Sequence, residues 1–379
     1  MYILDYKRSP FGCFNGALSG LSIDELCCPV IDSLLSKNAR IVPDLFILGQ
    51  AVPAGSGQNP SALVMNKLCL NTVPSFSVNK VCASGMEAVM LACDVLSCNM
   101  RRTKFVLAGG VEQMSKCPHY LMNQRSQGCK FGDLPLKDGL LFDGLTDSAF
   151  NMKMGECGDM LAREYNIERA IQDQWAVKSF TFGLKAYEDG LYGREVVPIN
   201  GLTRDEQLQK FNPQKMATLK PSFSPTGTIT AANSSPLSDG AAFLLLSSEP
   251  GVEGGALAKI IGYADAQIED PRRFPTAILP AVEKALSTSG IGAQDVDHWE
   301  ISEAFALVPE IVSKHFDIPQ ERVNEKGGAV GLGHPLGASG ARMVGTLAMT
   351  LKLNVNSKYG VAAICNGGGG ASAIVLERV

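Results

Sequence analysis

The chain is poor in histidine, in tryptophan and in net charge. Of its 379 residues, four are histidine and two are tryptophan, and 38 acidic residues stand against 34 basic ones. A net charge of −4 gives no electrostatic basis for nucleic-acid binding, which relies on a basic surface. The histidines and the eleven cysteines lack the spacings that are typical of metal sites. We therefore expect no nucleic-acid partner and no structural metal.

No apolar run in the chain approaches the length of a membrane span. The most hydrophobic segment, residues 241–246 (AAFLLL), is short and fits a core strand. The first residues resemble a strand and carry no secretion or transit signal, so we expect a cytoplasmic protein with no membrane partner. An odd number of cysteines in such a chain favours small buried side chains over disulfides.

The sequence does contain a regular alternation of strand and helix patterns, which is typical of an α/β protein with a buried sheet. The alternation covers residues 1–118, resumes at about 236–250 and continues over 251–379. Residues 119–235 are less regular and rich in Gly, Pro, Lys and Asp, which predicts an inserted helical and loop domain. In the first half, the strand 104–108 is expected to end at the glycines 109–110.

The two α/β segments contain a related pattern. Residues 82–85 (CASG), a helix, an apolar strand and glycines 109–110 have a counterpart later in the chain. There, residues 337–340 (GASG) precede a helix, an apolar strand and glycines 367–368. The match favours a duplicated fold. Because loops at corresponding strand ends meet in such a fold, we expect Cys82, His334 and Cys365 to come together.

Cys82, His334 and Cys365 are residue types that suit acyl transfer. Cys82 stands where a strand pattern turns into a helix pattern, and a helix N-terminus can lower the pKa of a thiol. The alternative is a buried structural cysteine. A neutral imidazole is a suitable base for a thiol nucleophile, and a second thiol among glycines can approach a substrate carbon. Two thiols and a histidine, without a metal or a dinucleotide fingerprint, point to a thioester intermediate.

The motifs around these residues resemble those of the thiolases. The matching segments extend over essentially the whole chain and include residues 79–85 (NKVCASG), 109–115 (GGVEQMS), 302–305 (SEAF), 333–340 (GHPLGASG) and 365–369 (CNGGG). The resemblance implies a duplicated five-layer αβαβα fold with an inserted loop domain. It also implies thiolytic cleavage of a 3-ketoacyl-CoA or the reverse Claisen condensation, with coenzyme A as substrate and no cofactor.

The resemblance also implies roles for single residues. Cys82 corresponds to the acyl-accepting nucleophile, His334 to its activator and Cys365 to the acid/base at the substrate α-carbon or the leaving CoA thiol. Gly367 and the Cys82 N–H correspond to one oxyanion hole. A second hole uses the motif histidine and a water held by an asparagine. That asparagine is replaced here by Ser302, which is shorter and lacks the two amide donors.

Motifs in the inserted region indicate which 3-ketoacyl-CoA substrate is expected. Residues 130–133, 141–147 and 153–155 resemble the acetoacetyl-CoA subgroup, which implies acetyl-CoA C-acetyltransferase activity on acetyl-CoA and acetoacetyl-CoA. Lys153 stands where that subgroup has a histidine, while residues 231–236 look more like broad-chain enzymes. By position, the pantetheine channel would be lined by Leu145, Met154, Phe223, Ser235, Ala304 and Phe305.

Three alternatives and the assembly state stay open. A broader 3-ketoacyl-CoA thiolase of fatty-acid breakdown is the nearest alternative. A decarboxylating ketoacyl synthase would require a histidine in place of Cys365. A non-catalytic protein that binds acyl-CoA would explain Ser302 and Lys153 but not the retained Cys82 and His334. The resemblance implies a homo-oligomer, and residues 130–133 correspond to a tetramer-forming loop, so we expect a dimer or a tetramer.

Overall fold

The structure is a computed structural model that describes residues 1–38, 41–98, 102–123, 125, 128, 131–250 and 255–379. Lys130, in the segment predicted to form a tetramer contact, lies outside the described residues. The first half contributes strands β1 to β5, which are Tyr2–Arg8, Gly12–Cys13, Leu45–Gly49, Ser75–Val78 and Phe105–Gln113. The inserted region adds the short β6 and β7, His119–Tyr120 and Lys137–Asp138. The remaining strands, β8 to β12, are Ser238–Ser247, Ala258–Gln267, His298–Ile301, Tyr359–Asn366 and Gly370–Arg378.

The ten strands β1–β5 and β8–β12 form one hydrogen-bonded network, which a short seam divides into two sheets. In one, the order is β4-β3-β5-β8-β1, with β2 on β8; in the other it is β9-β12-β11-β10. Pairing of Tyr2 with Lys259 and of Ile3 with Ala258 joins them edge to edge. Each sheet mixes parallel and antiparallel neighbours, for example β3 parallel to β5 and β11 antiparallel to β12.

Helices cover both sheets and fill the space between them. The helices α1 to α3 are Ile23–Lys37, Pro60–Lys67 and Ser84–Ser97, and α4 to α6 of the inserted region are Met154–Glu164, Arg169–Glu188 and Pro213–Thr218. The helices α7 to α10 are Ile278–Ser289, Leu307–Phe316, Ala329–Leu332 and Leu336–Leu353. α1 and α2 pack outside the first sheet, α3 and α10 lie between the sheets, and α7 packs outside the second. This arrangement confirms the predicted five-layer fold.

The central layer depends on glycines at the start of its two helices. An added Cβ on Gly85 in α3 would lie 2.5 Å from the Gly337 carbonyl oxygen, and one on Gly340 in α10 would lie 2.6 Å from the Met86 nitrogen. These are positions of the repeated sequence pattern, so the first turns of α3 and α10 are in contact at equivalent places. The predicted meeting of the two halves is confirmed at this point.

The expected end of the strand at glycines 109–110 is wrong. β5 runs through both glycines to Gln113. An added Cβ on Gly110 would lie 1.9 Å from the Gly337 carbonyl oxygen, and one on Gly109 would lie 2.1 Å from the Ala242 carbonyl oxygen. The two glycines therefore admit close backbone approach, Gly110 to α10 and Gly109 to the neighbouring strand β8, and they do not end the strand.

The inserted region is attached to the first sheet by buried ion pairs. Arg8, the last residue of β1, donates to Glu195 at 2.9 Å and to Asp205 at 2.7 Å, and all three side chains are fully buried. Since a buried charge without its partner is costly, these pairs fix the inserted region against β1. The division at residues 118, 235 and 250 stays a prediction. In the described residues, no helix is long and apolar enough to cross a membrane.

Candidate active site

The turn that presents Cys82 is held by side-chain hydrogen bonds to its backbone. Asn79 Oδ1 accepts from the Val81 N–H at 2.9 Å, and Ser84 Oγ donates to the Val81 carbonyl oxygen at 2.6 Å. Val81 has a φ of +50°, in the left-handed region that a β-branched residue seldom adopts. Cys82 follows it directly and precedes α3 by two residues. The hydrogen bonds of Asn79 and Ser84 thus hold Val81 in a strained backbone conformation directly before the Cys82 thiol.

The position of Cys82 before the helix α3 does not lower its pKa. Burial raises the pKa of the Cys82 thiol well above its usual range, and the nearby Cys365 sulfur raises it further. The N–H groups of Gly367 and of Cys82 itself act in the opposite direction. Since desolvation outweighs these donors, the thiol is protonated at neutral pH and needs a base to become a nucleophile.

His334 is held in the tautomer that such a base requires. Ser339 Oγ lies 2.7 Å from His334 Nδ1 and 2.9 Å from the Pro335 carbonyl oxygen. The carbonyl can only accept, so the single hydroxyl proton of Ser339 goes to it and Nδ1–H donates to Ser339. The lone pair is therefore on Nε2, which is buried and has no hydrogen-bond partner among the described residues.

The charge state of His334 also suits a base. Burial lowers the pKa of His334 to about 4, and the Arg342 guanidinium acts in the same direction. The imidazole is consequently neutral at pH 7. Its backbone N–H donates to Ser238 Oγ at 3.0 Å, which fixes the loop that carries it.

Cys365 is the second-last residue of β11 and lies next to Ser302. The Ser302 hydroxyl lies 3.4 Å from Cys365 Sγ, and both residues are buried. Burial raises the pKa of Cys365 to about 11, while the Ser302 hydroxyl opposes that rise. The turn after Cys365 contains Gly368 and Gly369 with φ of +86° and +84°, a conformation that glycine adopts without strain.

An apolar cavity connects most of the predicted residues. Cys82, His334 and Gly367 line it. All six residues predicted for the pantetheine channel line it too: Leu145, Met154, Phe223, Ser235, Ala304 and Phe305. Ser302 and Cys365 are not among the described residues of its wall. Lining residues that the sequence analysis missed include Leu141, Phe274 and Leu336, whose apolar types alone do not distinguish a wall from a core.

Glu112 is a structural part of the site that the sequence analysis did not single out. Its carboxylate accepts from the N–H groups of Ala51 at 2.8 Å, Val52 at 3.1 Å and Gly337 at 2.8 Å. Gly337 belongs to the first turn of α10, where a helix favours an anion. Glu112 thus ties the loop after β3 to the helix that follows His334. Burial raises the pKa of Glu112 to about 7 against these donors.

The two-sheet, five-layer fold with a cysteine and a histidine on one cavity is the architecture of a thiolase-like enzyme. The family model of the thiolase N-terminal domain matches residues 1–250, and that of the thiolase C-terminal domain matches residues 255–378. The chain therefore belongs to the thiolase family, and the predicted resemblance is confirmed.

Relatives and solved structures agree with this assignment. Acetyl-CoA acetyltransferase 2 of Arabidopsis thaliana is 43% identical over 99% of this chain and 96% of its own length. Acetyl-CoA acetyltransferase of Schizosaccharomyces pombe is 39% identical over 100% and 99%. The crystal structure of Acat5 thiolase from Ascaris suum in complex with coenzyme A has a TM-score of 0.93 at 36% identity, covering 100% of this chain and 99% of that one. Human mitochondrial 3-ketoacyl-CoA thiolase also has a TM-score of 0.93, at 29% identity over 100% and 98%.

Proposed function

We propose that the protein is an acetyl-CoA C-acetyltransferase that interconverts acetoacetyl-CoA plus CoA with two acetyl-CoA. The observation that carries the proposal is the cavity that Cys82 and His334 share, with the lone pair of His334 Nε2 left without a hydrogen-bond partner among the described residues. A protonated thiol beside an unpartnered neutral base is the pair that nucleophilic acyl transfer requires. The full-length relatives described as acetyl-CoA acetyltransferases support the same activity.

In the cleavage direction, the first half-reaction transfers an acetyl group to Cys82. His334 Nε2 takes the thiol proton, and the Cys82 sulfur attacks the C3 carbonyl of acetoacetyl-CoA. The N–H groups of Cys82 and Gly367 stabilise the oxyanion that forms. The C2–C3 bond then breaks, its electron pair passes to C2, and Cys365 gives its proton to C2. Acetyl-CoA leaves, with acetyl-Cys82 and the Cys365 thiolate as the products on the enzyme.

The second half-reaction releases the acetyl group. The Cys365 thiolate takes the proton of an incoming CoA thiol, and the CoA sulfur attacks acetyl-Cys82. The Cys82 sulfur departs and recovers its proton from His334. The resemblance alone would give Ser302 the role of holding a water that supports His334 at the thioester oxygen.

Coenzyme A occupies the cavity as a substrate, and no further cofactor takes part. The apolar lining residues named above contact the pantetheine arm. Lys153 is an exposed residue on the cavity wall, at the start of α4, where its ammonium group can approach the anionic part of CoA.

The test is CoA-dependent cleavage of acetoacetyl-CoA compared with 3-ketohexanoyl-CoA and 3-ketodecanoyl-CoA. We expect acetoacetyl-CoA to have the highest kcat/KM. A preference for the longer substrates would favour the broader 3-ketoacyl-CoA activity instead. Replacing Cys82 by Ala is expected to abolish turnover while CoA still binds. A wild-type protein that binds CoA but cleaves none of the three substrates would favour the non-catalytic alternative.

We also propose that the protein is a homotetramer. Apolar side chains of the inserted region are exposed between residues 131 and 142, namely Phe131, Leu134, Leu136, Leu141 and Phe142. Exposed apolar side chains close together in sequence can form a contact between copies. Light scattering is expected to give four times the chain mass of 40.3 kDa. A dimer mass would reject the tetramer, and a monomer mass would reject assembly altogether.

The cytoplasm is the location that we propose. The cysteines of the described residues are free thiols, which fits a reducing compartment. Relatives include a cytosolic acetyl-CoA acetyltransferase of Gibberella zeae and a mitochondrial one of Danio rerio. Fractionation of cells that express the full chain separates these two locations, and recovery in mitochondria would contradict the proposal.

A further inference from the structure

Ser302 lies where the end of one strand reaches the end of its neighbour. β10 pairs in parallel with β11, with Ile301 opposite Ala363. The Ser302 N–H extends this pairing by donating to the Ala363 carbonyl oxygen at 3.0 Å. The register therefore places Ser302 alongside the end of β11, which carries Cys365. Ser302 is 2% exposed and Cys365 is 1% exposed, so bulk water solvates neither side chain.

The hydroxyl of Ser302 has its described contacts with Cys365 alone. Its oxygen lies 3.4 Å from Cys365 Sγ, an ordinary length for a hydrogen bond to sulfur, and 3.5 Å from the Cys365 nitrogen, which is long. The N–H can only donate, so the hydroxyl oxygen faces it as an acceptor. The hydroxyl proton is then directed to the sulfur, which accepts well as a thiolate and poorly as a thiol.

We infer that Ser302 is a positioning residue for the second cysteine: its hydroxyl orients the Cys365 sulfur and stabilises the thiolate that forms when Cys365 gives up its proton. This inference rests on the proposed function, in which Cys365 gives a proton to C2 of the substrate and recovers one from CoA. The thiolate exists only between those two transfers, so the hydrogen bond from Ser302 is strongest in that intermediate.

The inferred role differs from the water-holding role that the resemblance implies. A residue that holds a water for His334 must direct its polar group towards the imidazole, whereas the described contacts of the Ser302 hydroxyl are with Cys365. The hydroxyl is instead directed to a sulfur whose thiolate is otherwise buried and costly to form. Burial raises the pKa of Cys365 to about 11, and Ser302 is the largest opposing influence.

The inference is tested by the reactivity of the Cys365 thiolate, which requires no turnover. In a Cys82→Ser background, the rate of Cys365 alkylation by iodoacetamide is followed by mass spectrometry between pH 7 and pH 10. Below the pKa, the thiolate fraction falls about tenfold for each unit by which the pKa rises. We expect Ser302→Ala to slow alkylation of Cys365 by about tenfold at each pH. We expect Ser302→Thr, which keeps the hydroxyl, to restore most of the rate.

A second measurement follows the same thiol in the active enzyme. Exchange of the acetyl-CoA methyl protons with deuterium requires an acid/base at C2, and NMR detects it directly. We expect Ser302→Ala to move the pH profile of this exchange upwards by about one unit, with the wild-type melting temperature retained. An unchanged alkylation rate and an unchanged exchange profile would overturn the inference.

The two proposals fail in different ways. An equal loss of exchange at every pH, together with normal alkylation, would assign Ser302 the water-holding role and overturn the inference. A wild-type protein without thiolysis or exchange would overturn the proposed function. In that case the alkylation rates of the Ser302 variants still decide whether the hydroxyl stabilises the thiolate.

Discussion

Replacing Ser339 by Ala tests whether the hydroxyl at the start of α10 selects the tautomer of His334. In the wild type, the tautomer with its proton on Nε2 would place the lone pair of Nδ1 against the Ser339 oxygen. The Ser339 hydroxyl already donates its proton to the Pro335 carbonyl oxygen, so one hydrogen bond would be lost. A buried hydrogen bond lost in this way costs about 1–3 kcal/mol. Ser339→Ala removes that preference, and the imidazolium formed during proton transfer loses its acceptor. We expect formation of acetyl-Cys82 to slow by roughly tenfold to hundredfold.

The assay is rapid-quench measurement of acetyl-Cys82 formed from acetyl-CoA in a single turnover, between pH 6 and pH 9. Since the pKa of His334 is about 4, its imidazole is neutral throughout this range, and the loss is expected to be equal at each pH. Ser313→Ala is a matched control, because Ser313 is also buried on a helix but its hydroxyl has no described partner. A rate within twofold of the wild type, or a loss confined to low pH, would refute the reasoning.

Three further perturbations follow from the same geometry. Lys153→Met is expected to raise the KM for CoA by roughly twofold to fivefold at low salt and less at high salt. The control is Lys104→Met, which also removes an exposed lysine and is expected to leave the KM unchanged. An equal effect of both substitutions would contradict a contact between Lys153 and CoA. Gly110→Ala places a Cβ 1.9 Å from a carbonyl oxygen at the start of α10, so the melting temperature of this variant should fall by well over 5 °C. The control is Gly193→Ala, whose added Cβ meets open space, and its melting temperature should hardly change. The folded state keeps His334 neutral down to a pKa of about 4, while the unfolded chain takes up a proton near 6.5. Stability should therefore fall by roughly 3 kcal/mol as the pH drops from 6.5 to 4, and urea unfolding of His334→Gln, which lacks that proton uptake, should lose this part of the slope.

Local sequence patterns predicted the elements whose boundaries depend on local chemistry. The end of the helix Ile278–Ser289 is of this kind, because Gly290 ends it in the left-handed conformation that glycine favours. Glycines 109–110 misled the prediction of β5, because Gly110 admits the backbone of α10, which lies more than two hundred residues further along the chain, and Gly109 admits that of β8.

The sequence predicted which residues form the candidate site better than it predicted their pKa shifts. The motifs identified Cys82, His334 and the six lining residues of the channel, because each is carried by a short characteristic segment. The direction of the Cys82 pKa shift was not predictable, since it depends on burial by distant segments and on the Cys365 sulfur. The same holds for the carboxylate of Glu112, whose three donors come from two other parts of the chain.

The position of α10 has a consequence for the order in which the chain matures on the ribosome. Every residue from Leu336 to Leu351 is buried, and the helix contacts strands of both sheets. The first 250 residues leave the ribosome well before this helix, and their inward sheet face then has no cover other than α3. Nascent chains at that length therefore present an apolar surface that a chaperone can bind. The inward face of the first sheet is therefore covered, and the catalytic cavity assembled, only after α10 has arrived.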